Sequence, residues 1–121
     1  MIMFTGEIPI YQQLADRVAE DILAGTYPEE SSVPSTNEYA VFYQISPITA
    51  AKGVNLLVEQ GVLYKKRGVG MFVAAGAREK LRVKRRAAFS ERHIAPLVHE
   101  ARLLRIYREE LDDLINQEDS K

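Results

Sequence analysis

A chain of 121 residues holds one compact domain plus an appendage, or two very small units. An apolar share of 46% and a charged share of 27% are those of a soluble globular protein, and no apolar run is long enough for a bilayer. The formal net charge of −1 neither favours nor excludes a polyanionic partner, while the absence of cysteine excludes disulfides and thiol chemistry.

The first predicted element is a helix in "IPIYQQLADRVAEDILAG". Ile10, Leu14, Val18 and Ile22 recur every four residues, with Tyr11 and Ala15 beside them, as one apolar stripe. Pro9 suits the first turn and Gly25 the left-handed stop. "TYPEESS" is expected to be a loop. A second, short helix starts in "VPSTNEYAVFY", where Ser35 and Glu38 have the spacing of a capping box, and ends near Tyr43. Gln44 and Ile45 make a tight connection. "SPITAAKGVNLLVEQG" then begins a third helix, with Ser46 as cap, Pro47 in the first turn and Gly61 as terminator. Its expected apolar face is Ala50, Val54, Leu57 and Val58, with Thr49, Lys52, Asn55 and Glu59 elsewhere on its surface.

Beyond Gly61 the period shortens. "VLYKK" and "MFVA", joined through Arg67, Gly68, Val69 and Gly70, read as a β-hairpin with "RGVG" at its tip. From Ala77 the chain is predicted helical nearly to its end. Ile94, Leu97, Ala101 and Leu104 follow a three-four spacing that Val98 widens and Val83 and Ala87 continue weakly. Pro96 is expected to kink or break this helix. A break near Arg105–Tyr107 precedes a last short helix carrying Leu111, Leu114 and Ile115. Charge runs in blocks: five basic against eight acidic residues over 1–74, ten against three over 78–108, and one against six over 109–121.

Helix, short helix, tight turn, capped helix and hairpin follow in the order of a winged helix-turn-helix. In that fold the helix after the turn enters the DNA major groove and the hairpin, or wing, lies against the neighbouring backbone or minor groove. Ser46, Ile48, Thr49 and Lys52 then occupy the first turns of the reading helix. A hydroxyl bonds a base edge or phosphate there, isoleucine packs on a thymine methyl, and lysine reaches phosphate or guanine.

Residues 8–75 resemble the DNA-binding domain of the GntR family of bacterial transcription regulators. The resemblance is carried by "PIYQQLADRVAEDILAGTYP", "VPSTNEYA", "ISPITAAKGVNLLVEQGVL" and "KKRGVGMFVA". The short helical tail resembles the YtrA subfamily, in which a small C-terminal region serves dimer formation. The fold so implied is mostly α with a small β-hairpin: a winged helix-turn-helix over 8–75 and a helical dimerisation region over 76–117. The function implied is a cytoplasmic, homodimeric repressor of a transport-related operon, which reads a palindromic operator on double-stranded DNA and is released by a small-molecule effector. Neither a cofactor nor a membrane is implied.

By position, the resemblance places Ser35 near the DNA backbone and Ser46, Ile48, Thr49 and Lys52 at the recognition-helix contacts. It places Gly68 and Gly70 at the wing tip, where a missing side chain lets backbone approach DNA. The family usually has arginine where this chain has Asn37, and often where it has Ala51. It favours threonine in place of Met71 and glycine in place of Gln44 and Glu29. With fewer arginines on the helices, Lys65, Lys66 and Arg67 of the wing are expected to carry more of the attraction. Ile94, Leu97, Val98, Ala101, Leu104, Leu111, Leu114 and Ile115 are the expected dimerisation residues, since so short a tail cannot enclose them unaided.

Other readings of these residues are weaker. Three cations beside a turn are by themselves usually a solvated surface, but at wing spacing they favour DNA. A P-loop would need a helix after "YKKRGVG" and a Gly-Lys-Ser/Thr ending, and a strand follows instead. The run "REKLRVKRR" is by default a solvated face, with DNA or a partner's acidic residues as alternatives. His93 and His99 lie six apart on different helix faces, so no metal site is expected. No nucleophile–base pair can be located, so the chain is not read as an enzyme. The rival from another class is a winged-helix module that grips a protein, which the acidic balance of residues 1–74 favours.

Overall fold

The computed structural model describes residue 4 and residues 6–121. Helix α1 (Ile10–Ala24) follows Pro9 and stops at Gly25, whose φ of 87° needs no Cβ and lets its N–H bond the carbonyls of Asp21 and Ile22. The buried stripe is Leu14, Ala15, Val18, Ala19 and Ile22, whereas Ile10 is 42% exposed. A strict spacing of four overshoots the helical turn by about 40° per step, so Ile10 has drifted off the face that Ile22 shares.

Helix α2 (Thr36–Tyr43) has the expected capping box. The Glu38 N–H donates to Ser35 Oγ at 3.1 Å, and the Ser35 N–H donates to Glu38 Oε1 at 2.9 Å. Gln44 takes the left-handed stop at φ 57°, the position where the family favours glycine. Helix α3 (Pro47–Glu59) is capped by Ser46, and its buried face is Ala50, Gly53, Val54 and Leu57. Val58, expected inside, is exposed, and Gly53 takes part instead. A Cβ on Gly53 would lie 2.6 Å from the Tyr11 carbonyl oxygen, so a side chain there would separate α1 from α3.

The expected two-stranded hairpin is part of a three-stranded antiparallel sheet of order β1-β3-β2. Its strands are β1 (Ser32–Val33), β2 (Leu63–Lys66) and β3 (Gly70–Val73), with Val33 opposite Met71 and Tyr64 opposite Phe72. β1 falls between the expected loop and the helix after it, because two residues are too short to display a period of two. The core of this unit is led by Leu14, Val18, Ile22, Val54, Val62, Leu63 and Val73. Each contributes about 1.5–3 kcal/mol by leaving water. Ala77 and Leu81 of helix α4 (Ala77–Phe89) join the same core.

The chain divides between Val83 and Lys84, within α4, into two compact units. The second unit continues through a π-helical turn (Ser90–Ile94) into α5 (Ala95–Leu104), and α6 (Arg108–Asp119) follows. Pro96 neither kinks nor ends the helix as the break rule suggests. The turn before it is widened instead, with the Ala95 N–H donating to the Ser90 carbonyl five residues back. That widening makes room for a ring that crowds a regular turn. Arg105 breaks the helix at φ 56°, where expected. Ala101 is already buried and Val98 and Leu111 are half-buried, while Ile94, Leu97, Leu104, Leu114 and Ile115 are exposed. No helix among the described residues is long and apolar enough to cross a membrane.

Candidate nucleic-acid interface

Each residue of α3 turns 100°, so a buried face of Ala50, Gly53, Val54 and Leu57 leaves Ile48, Lys52, Asn55 and Glu59 on the opposite line. All four are exposed, Ile48 at 83%. Asn55 received no role from the sequence. Its signal was the spacing from Ile48 and Lys52, which becomes readable only once the buried side is known.

The two hydroxyls at the head of α3 are used locally. Ser46 Oγ accepts the Thr49 N–H at 3.1 Å and donates to Thr49 Oγ1 at 2.8 Å. Thr49 is half-buried and keeps its own hydroxyl hydrogen to donate. Ser35 is likewise occupied by its cap. Its backbone N–H, and then its side chain, hold the Glu38 carboxyl below the usual carboxylate range. Asn37 stands exposed in the first turn of α2.

The three wing cations do not form one patch. Strand residues alternate faces, so Lys65 shares the inner face with Leu63 and Lys66 shares the outer face with Tyr64. Lys65 borders a groove of about 280 Å³ with Ser35, Asn37, Asn55, Gly70 and Met71. Lys66 instead sets its ammonium 4.8 Å from the centroid of the Phe72 ring, which stacks on Tyr64 at 5.9 Å. The Tyr64 hydroxyl donates to Glu30 at 2.8 Å, and that bond raises its pKa. Arg67 and Gly68 are exposed at the tip, and Gly68 and Gly70 have φ of 78° and 142°. A Cβ on either glycine would meet nothing within 4 Å, so backbone conformation, not room inside the protein, requires glycine there.

Two further cations have structural partners. The Lys52 ammonium lies 4.2 Å from the centroid of the Tyr11 ring. In the basic run, Arg78 donates to the Leu23 carbonyl at 3.1 Å and Arg82 pairs with Glu79 at 3.4 Å. The arrangement therefore brings Ser35, Asn37, Asn55 and Lys65 to one groove beside the outward stripe of α3. Lys66 stays on the other side of the wing.

The sequence profile of the bacterial regulatory proteins of the gntR family matches residues 10–73, which is the segment just described. Over 67 residues the chain is 36% identical to the HTH-type transcriptional repressor NagR of Bacillus subtilis, covering 55% of this chain and 28% of that protein. The chain spans about a quarter of the length of the curated relatives it matches. A solved GntR-family transcriptional regulator from Bacteroides thetaiotaomicron superposes with a TM-score of 0.68 at 34% identity, covering 92% of this chain and 96% of that one. The AraR DNA-binding domain in complex with operator ORX1 superposes with a TM-score of 0.57 at 30% identity, covering 61% of this chain and 95% of that one. With more than half of its length matched by the family profile, and the matched half folded as α1 to β3, the chain belongs to the gntR family of bacterial regulatory proteins.

Proposed function

We propose that the chain is a homodimeric, sequence-specific DNA-binding transcription regulator that acts as a repressor. The observation that carries this reading is the shared flank of α2, α3 and the wing, where Ile48, Lys52 and Asn55 face outward next to the groove bordered by Ser35, Asn37 and Lys65. A reading helix in the major groove needs such a stripe with phosphate contacts at its edges. The likeness to an operator-bound DNA-binding domain and to a repressor supports the same reading.

A dimer is supported by the second unit, which leaves Ile94, Leu97, Leu104, Leu114 and Ile115 exposed in a single chain. Apolar faces of this kind are buried by a second copy related by a two-fold axis, which also pairs two reading helices with two half-sites. The short helical tail, matched nearly end to end by the Bacteroides regulator, supports the YtrA-like assignment and with it a transport-related operon. A small effector has a cleft of about 410 Å³ available in the first unit, beside Ile22, Tyr27, Pro28, Arg78 and Arg82. The competing protein-gripping reading is favoured by Val41 and Phe42 of α2, which are 79% and 70% exposed.

Selection of bound sequences from a random DNA pool tests the proposal. A palindromic consensus is the expected result, with affinity falling at a log–log salt slope of about −0.9 for each of roughly four to eight phosphates neutralised. No enriched sequence, or a flat salt response, overturns it in favour of the protein-gripping module.

A further inference from the structure

We propose that Tyr11 is a positioning residue for DNA binding. Its ring holds the Lys52 ammonium on the α1 flank of the reading helix, where the charge meets a backbone phosphate instead of a base. This rests on the DNA-binding reading above.

Lys52 stands on the outward stripe between Ile48 and Asn55, and a free lysine stem there would sweep the whole width of the helix. The ammonium lies 4.2 Å from the Tyr11 ring centroid instead. The ring is itself held in place. Tyr11 is in the first turn of α1, at the point where the two backbones come close enough that Gly53 has no room for a Cβ beside the Tyr11 carbonyl. Gly53 follows Lys52 directly, so ring and stem leave the same helix crossing.

Gly53 and Asn55 lie about 160° apart around α3, which puts the Tyr11 flank and the Lys65 groove on opposite sides of the helix. A helix about 10–12 Å across fills a major groove about 12 Å wide. Side chains aimed straight out reach base edges, and those drawn to a flank reach the phosphate wall. Lys52 and Lys65 thus hold the two walls of the groove, one on each side, and leave the floor to Ile48 and Asn55.

The test uses the full chain and the sequence it selects. Lys52→Met is expected to reduce the salt slope by about 0.9 and to weaken the selected operator and its single-base variants alike. Tyr11→Phe is expected to bind as the wild type does. Tyr11→Leu is expected to weaken binding about 2–5-fold, the size of an exposed cation–π contact, and to shrink the cost of Lys52→Met by the same factor. In the free protein, the Lys52 ε-methylene resonance should be ring-shifted in the wild type and Tyr11→Phe and unshifted in Tyr11→Leu. Should Tyr11→Leu melt early, Tyr11→Met serves in its place. A change of preference at a single base pair in Lys52→Met, or independent multiplication of the two substitutions, overturns the proposal. Failure of the DNA reading looks different: the wild type then enriches no sequence at all, and the phosphate role falls with it.

Discussion

At the scale of single residues, two groups carry energetics that pH and substitution can read. Glu38 accepts the Ser35 N–H in the capping box, and its carboxyl is held below the ordinary value of 4.5. A group depressed in the folded state contributes stability above its unfolded pKa and loses it as pH falls through the folded one. Glu38→Gln is therefore expected to be less stable than the wild type at neutral pH. The gap should close below about pH 4, as followed by urea unfolding at a series of pH values. Tyr39 presents the opposite case. Its hydroxyl is buried with no hydrogen-bond partner among the described residues, and burial, ahead of the neighbouring Tyr27, pushes its ionisation far up. An orphaned hydroxyl costs free energy, so Tyr39→Phe should stabilise the unit by about 1 kcal/mol, visible as a melting temperature higher by about 4–8 °C.

At the scale of elements, the helix ends were legible because their signals act within four residues. Ser35 with Glu38, Ser46 with Pro47, and Gly25 are each bonded to the backbone next to them. The strand β1 was not legible, since Ser32 and Val33 are a strand only because Phe72 and Met71 lie alongside. Gly53 illustrates a conflict between levels. Alanine would raise helix propensity by about 1 kcal/mol, yet its Cβ would press on the Tyr11 carbonyl, and overpacking of that kind costs about 1–3 kcal/mol. Gly53→Ala is thus expected to lose about 1 kcal/mol net in thermal unfolding. The wing offers a second element-level prediction. Lys65→Ala should reduce the salt slope of DNA binding by about 0.9 and weaken all sequences alike. Lys66→Ala, on the outer face over Phe72, should change affinity less than about 2-fold on the same titration.

At the scale of the whole molecule, the exposed residues of α5 and α6 decide the assembly. Leu104 is 60% exposed in one chain, and burying a leucine contributes about 1.5–3 kcal/mol. Leu104→Asp, or Ile115→Asp, should therefore weaken a dimer by at least about 10-fold in sedimentation equilibrium and leave the melting of the first unit unchanged. A chain that sediments as a monomer before any substitution would remove the dimer from the proposal.

What the sequence determined by itself was the order of elements, their caps, and the family to which those motifs point. All of these depend on hydrogen bonds and backbone preferences between near neighbours. Only the tertiary structure decided which side of α3 faces outward, and so that Asn55 joins Ile48 and Lys52. It also decided that Lys65 and Lys66 part company and that the charge of Lys52 is drawn to Tyr11, forty-one residues away in the chain. Facing is set by where a partner element lies, and no local pattern encodes that.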